Sequence, residues 1–73
     1  MSKYIVSICD DDKLPYIIGV GAKNMEEAEQ RFITRITNKY ECLSVTSDWE
    51  DLCEDAFSHE IYISDPYDIE EFS

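Results

Sequence analysis

Residues 3–20, KYIVSICDDDKLPYIIGV, decide the fold. Tyr4, Val6 and Ile8 alternate with Ile5, Ser7 and Cys9, and a second alternation runs through Leu14, Tyr16, Ile18 and Val20. A period of two marks strands with one buried face. Residues 10–13 between them are polar and turn-forming, so the two strands pair as an antiparallel hairpin. Pro15 has no amide hydrogen to give a ladder, which places the second strand at a sheet edge or at a strand start. Gly19 and Gly21 loosen the chain as it leaves.

The period then changes to that of a helix. Asn24 with Glu27 three residues on is a capping-box pattern, and it predicts a helix over residues 25–39. Glu26, Glu27 and Glu29 near its start and Arg35 and Lys39 near its end suit the helix dipole. Met25, Ala28, Phe32, Ile33, Ile36 and Tyr40 form one apolar stripe, with Arg31, Arg35 and Lys39 along one edge of it. Residues 41–46, with Cys42, Leu43 and Val45, predict a short third strand. Ser47 with Glu50 repeats the capping signal and opens a second helix over residues 48–57. Its inner face is Trp49, Leu52, Cys53 and Ala56; Asp48, Asp51, Glu54 and Asp55 turn outward. Residues 60–64 predict a fourth strand around Ile61, Tyr62 and Ile63. Asp65-Pro66 is a turn or the start of a last helical turn holding Ile69 and Phe72. The expected fold is α+β: a single two-layer ββαβαβ domain over residues 1–73, its small antiparallel or mixed sheet packed against a long helix and a short acidic helix.

A chain of 73 residues is one domain, and at this size only about 60% of the unfolded surface is buried on folding. Its 44% hydrophobic content and nine aromatic residues are too rich for a disordered acidic tail. No apolar run reaches membrane-spanning length, and the first residues lack the order of a signal peptide, so a cytoplasmic protein is expected. Cys9, Cys42 and Cys53 include no C-x-x-C pair and read as reduced thiols used as small core residues.

The charge is divided rather than spread. Through Tyr40, six acids balance six bases; from Glu41 onward there are eleven acids, no Lys or Arg, and only His59. The whole net charge of −11 therefore lies in the second half. Self-repulsion on this scale costs stability, and solubility in a small domain needs a net charge of only about 2 to 8. The excess points to a basic partner.

Sites for chemistry are absent from the pattern. Acids after the first strand look like the magnesium pocket of receiver domains, but that fold needs five βα units, more than this length permits, and a hairpin turn explains Asp10, Asp11 and Asp12. An EF-hand counted from Asp10 puts Leu14 and Pro15 at its fifth and sixth positions, which excludes it. His59 has no nucleophile signature with it, and there is no glycine-rich phosphate loop. No enzymatic activity, no cofactor and no metal are expected. Direct nucleic-acid binding is disfavoured, because three bases on one helix edge face eleven carboxylates.

Carboxylates can instead imitate phosphates. Duplex DNA carries one negative charge per roughly 1.7 Å of axis. Carboxylates three and four apart on a helix stand about 5 to 6 Å apart, and those two apart on a strand about 6 to 7 Å. Asp48, Glu50, Asp51, Glu54, Asp55, Glu60, Asp65, Asp68, Glu70 and Glu71 are the candidate partner-binding residues. Trp49 belongs to the core stripe, Tyr62 supports the surface, and Tyr67, between acids, suits stacking on a partner arginine. Alanine at Asp51, Glu54 and Asp55 together is expected to weaken partner binding and spare the fold.

In size, aromatic-rich composition and the base-free half from Glu41 to Ser73, the chain resembles the small acidic DNA-mimic proteins with which bacteriophages disable host DNA-binding proteins, including inhibitors of the histone-like nucleoid protein HU. These proteins share no motif, so the resemblance assigns no residue a role. It implies an inhibitor in the host cytoplasm that competes with DNA for a basic groove, as a homodimer that lengthens the imitated strand. The alternative is an antitoxin-like or transcription-regulating protein that binds a basic protein or RNA polymerase without imitating DNA.

Overall fold

The computed structural model describes residues 2–11 and 14–69. Its elements are β1 (Ser2–Asp10), β2 (Tyr16–Ala22), α1 (Met25–Lys39), α2 (Trp49–Ser58), β3 (Ile61–Ile63) and β4 (Tyr67–Asp68). The α+β class holds, and the sheet is antiparallel throughout. The element order is ββααββ rather than ββαβαβ.

The hairpin forms as its alternation requires. β1 is central, with β2 along one side in the register Tyr4 to Val20 and Ile5 to Gly19. Tyr4, Val6, Ile8, Val20 and Ala22 face inward and are buried. The second strand starts later than the alternation suggests: Pro15 precedes it, and Leu14 is 88% exposed. β2 pairs with β1 alone and is an edge, the place Pro15 indicated.

On the other side of β1, β3 and β4 behave as one strand with a bulge. Ile63 pairs with Ile8 and Tyr67 with Ile5, so the outer strand holds one residue more than β1 between these pairs. Ser64 absorbs the mismatch: its amide donates to the Ser7 carbonyl, and its hydroxyl accepts the Ser7 amide, both at 2.9 Å. An extra residue satisfied in this way keeps the ladder intact while bending the strand. Of the two readings of Asp65-Pro66, a turn or the start of a helical turn, the structure has a break between strands, with β4 following it at Tyr67–Asp68; Phe72 lies outside the described residues.

α1 begins where expected, the Asn24 side chain accepting the Glu27 amide at 2.9 Å. Ala28, Phe32, Ile33 and Ile36 fill the core; Met25 at the first turn is 39% exposed instead. At the other end, Tyr40 closes α1 through its amide to the Ile36 carbonyl, and its hydroxyl meets those of Tyr16 at 2.5 Å and the Asp10 carboxylate at 3.1 Å. The α1 end is thereby pinned to the hairpin.

Residues 41–46 form no strand. Leu43 alone of the three apolar residues is buried, its amide turning back to the Tyr40 carbonyl at 3.1 Å, while the Ser44 amide is taken by Asp55 Oδ2 at 2.8 Å. With these two amides already bonded and Val45 88% exposed, the segment has little left to offer a ladder and no second apolar residue turned inward. Cys42 is exposed, contrary to a core role, whereas Cys9 and Cys53 are half-buried; all three are free thiols. α2 is capped by Asp48 rather than Ser47, its side chain accepting the Glu50 amide at 2.9 Å. Trp49, Leu52 and Ala56 point into the core, Trp49 tilted against Phe32 with centroids 6.1 Å apart. Both helices lie against the same sheet face, completing two layers. Among the described residues no helix is long and apolar enough to cross a membrane.

Candidate acidic interface

The N-termini of the two helices meet. Gln30 of α1 donates to the Ser47 carbonyl at 2.6 Å and ties the first helix to the start of the second. This junction opens into a cleft of about 670 Å³ lined by Glu26, Glu29, Gln30, Ser47, Asp48, Trp49, Glu50 and Asp65, with no Lys or Arg among them. Each acid arrives for a local reason. Glu26 and Glu50 sit in helix first turns, which favour negative charge, Glu29 follows Glu26 at i,i+3 on α1, Asp48 is a cap, and Asp65 sits in the bulge between β3 and β4.

The carboxylates are close enough to act on one another. Glu29 titrates above the ordinary glutamate value, first because of partial burial and then through the charges of Glu26, Asp48, Asp65 and Glu50. Cys53, half-buried behind the same group, has its thiol pushed up to about 11 by burial and by Asp65, Glu29 and Glu50. The site is a concentration of negative potential with an unreactive thiol behind it. Trp49 contributes its ring to the wall; its indole nitrogen is buried without a hydrogen-bond partner among the described residues.

The expected partner residues divide into groups. Asp48, Glu50 and Asp65 join the cleft. Asp51 and Glu54 stand exposed on α2. Asp55 is a structural residue that accepts the Ser44 amide and lies 3.7 Å from His59, whose ring is at the surface. Glu60 makes the turn out of α2 with φ of 63°, a left-handed conformation that suits glycine better than a side chain with a Cβ. Asp68 lies in β4, half-buried opposite Tyr4, and Tyr67 stands on the far side of the sheet beside Ile5. Glu70 and Glu71 lie outside the described residues.

Glu26 and Glu29 belong to the charge-balanced half and were not among the expected residues. The two capping signals, at Asn24 and near Ser47, were the available clue: helix starts collect acids, and these two starts converge. Bases occupy the opposite flank of α1. Arg31 pairs with Glu27 at 2.9 Å, Arg35 donates to the Gly19 carbonyl at 3.0 Å, and Lys39 lies over the Tyr16 ring, 4.1 Å from its centroid. α1 thus separates a basic groove beside β2 from the acidic cleft beside α2. Among the described residues no group of His, Cys, Asp and Glu is arranged to hold a metal ion. No protein-family model, curated protein or solved structure matches the chain.

Proposed function

We propose that the protein is a non-enzymatic inhibitor that occupies the DNA-binding surface of a basic bacterial protein, of which the nucleoid protein HU is the first candidate, with carboxylates in place of phosphates. The observation that carries this reading is the convergence of Glu26, Glu29, Asp48, Glu50 and Asp65 on one cleft without a basic residue in its lining. Asp51 and Glu54 extend the charge along the exposed side of α2. A partner that binds duplex DNA displays Lys and Arg in a concave or grooved array, and binding releases its counter-ions much as DNA binding does.

The charge-neutral variant Glu26→Gln/Glu29→Gln/Glu50→Gln tests the reading at constant shape. Its affinity for HU, measured by calorimetry at low salt, should fall at least tenfold while circular dichroism stays unchanged. Unchanged affinity would remove the cleft from the interface. A complex that forms but leaves the partner's DNA in place would favour the regulator that binds a basic protein without imitating DNA.

A further inference from the structure

β2 pairs with β1 alone, in one unbroken register over Tyr16–Ala22 and with no proline inside it, so its outer side is a long bare edge among the described residues. The far side of β1 shows which of its backbone groups face outward. The Ser7 amide and carbonyl are both bonded to Ser64, so Ser7 turns away from β2, and its cross-strand partner Ile17 turns away from β1. Such pairs alternate along an antiparallel ladder, which turns Gly19 and Gly21 outward with Ile17. The Gly19 carbonyl has this phase, accepting from Arg35 at 3.0 Å. The edge therefore offers the N–H and C=O groups of three residues, and among the described residues only that carbonyl is met by another part of the chain.

An edge of this kind is a template for a further strand, and proteins commonly guard it with charge. Here the guard has one sign. Arg31, Arg35 and Lys39 follow one another at i,i+4 on the flank of α1 beside β2, and all three are exposed. Two hollows of about 570 and 510 Å³, which share Gly19 and Arg35, make one groove between this row and the strand edge. Glu27, the one acid in its lining, is already paired with Arg31. Local contacts hold the bases along the edge without exhausting them: Arg31 and Arg35 each commit one nitrogen of a guanidinium that has five N–H donors, and Lys39 lies over the Tyr16 ring, a contact that consumes no N–H.

Charge and spacing select the occupant. In a strand added to β2, alternate side chains lie on the α1 side about 6–7 Å apart, comparable with the ~6 Å rise between successive bases of the row. Acids at alternate positions each meet a base while the backbone takes up the edge groups. A basic strand is repelled, and a helix has no free backbone groups to pair. The net charge of −11 does not prevent this, because the acidic cleft lies on the far side of α1 and charges more than about 8 Å away are largely screened at physiological salt.

We propose that this groove takes an acidic, extended segment of another protein, which adds as a strand beside β2 with alternate carboxylates on Arg31, Arg35 and Lys39. The proposal does not depend on the DNA-mimic reading, because it uses the opposite flank of α1.

A fluorescently labelled peptide, Thr-Glu-Thr-Glu-Thr-Glu-Thr, is the probe, compared with an isomer whose glutamates are adjacent and with a short oligothymidylate. Anisotropy in ~0.15 M NaCl should show the alternating peptide binding at least tenfold tighter than the isomer, and more weakly in ~0.5 M NaCl. In isotope-labelled protein the bound peptide should slow amide hydrogen exchange at Ile17, Gly19 and Gly21 at least tenfold, which an ionic contact without strand pairing leaves unchanged. Arg31→Gln/Arg35→Gln/Lys39→Gln should lose at least tenfold in affinity with an unchanged circular dichroism spectrum, whereas Glu26→Gln/Glu29→Gln/Glu50→Gln should bind the peptide at least as well as the wild type. No binding of the alternating peptide, equal binding of the isomer, tighter binding of the oligothymidylate or unslowed exchange at the three amides overturns the proposal.

Discussion

Asp55 Oδ2 accepts the backbone amide of Ser44 at 2.8 Å, so one carboxylate of the acidic helix holds down the segment that joins the two helices. That bond separates Asp55 from its neighbours Asp51 and Glu54, which stand in solvent on the same helix. Alanine at Asp55 should cost about 1 kcal/mol, the usual net loss for an intramolecular hydrogen bond. Alanine at Asp51 or Glu54 should change stability by less than about 0.5 kcal/mol. Urea unfolding of the three single variants measures the difference. The triple substitution should therefore carry the Asp55 cost of about 1 kcal/mol, and a binding experiment should use Asp51→Ala/Glu54→Ala alone.

Glu29 gives the stability of the protein an inverted response to mild acid. A carboxyl whose value is raised on folding binds its proton more tightly in the folded state, so it destabilises the fold above that value and ceases to do so as pH falls towards the unfolded one. Because Glu29 is only half-buried and water screens its neighbours' charges, the effect should be only a few tenths of a kcal/mol. Glu29→Gln should raise stability by that amount at pH 7 and by nothing near pH 4, and ~0.5 M salt should shrink the difference. Denaturation curves of both proteins at the two pH values give the comparison.

Cys53 and Cys42 should react at very different rates. With its thiol pushed up to about 11 from an ordinary 9.0, Cys53 carries about 100-fold less thiolate at pH 8 than it does in the unfolded chain. Cys42 is exposed. Iodoacetamide at pH 8 followed by mass spectrometry should show Cys42 alkylated first, with Cys53 labelled at a comparable rate only after unfolding in urea.

Glu60 is an acid at a backbone position that favours glycine. Glu60→Gly should remove the left-handed strain and raise stability by about 0.5–1 kcal/mol after allowing for the freedom glycine gains in the unfolded chain. Thermal unfolding measures the gain. If Glu60 also faces the partner, the same variant should bind less tightly while being more stable.

Much of this arrangement is legible in the sequence, and the failures have physical causes. The hairpin, α1 and its Asn24 cap follow from alternation, a 3.6 period and a capping box acting over a few residues. The segment 41–46 misleads because its apolar residues have strand-like spacing, while its amides are claimed by Tyr40 and Asp55, the latter distant in sequence. β4 is hidden by Asp65-Pro66, which reads as a break; that a serine hydroxyl bridges the break to Ser7 is a tertiary fact. Charge counting located Asp48, Glu50 and Asp65 but missed Glu26 and Glu29, since a tally by halves does not register that two helix starts meet. Nor does a charge count register that one of the candidate acids, Asp55, also holds the Ser44 amide.

Displacement of DNA is the most direct measure of the proposed function. Fluorescently labelled duplex of arbitrary sequence, bound to HU, is titrated with this protein at salt concentrations from about 50 to 200 mM. Mimicry requires release of the DNA at near-stoichiometric protein, with an affinity that falls steeply as salt rises, by about 10³-fold over that range if six or more charges are matched. A ternary complex that retains the DNA, or binding indifferent to salt, would contradict it.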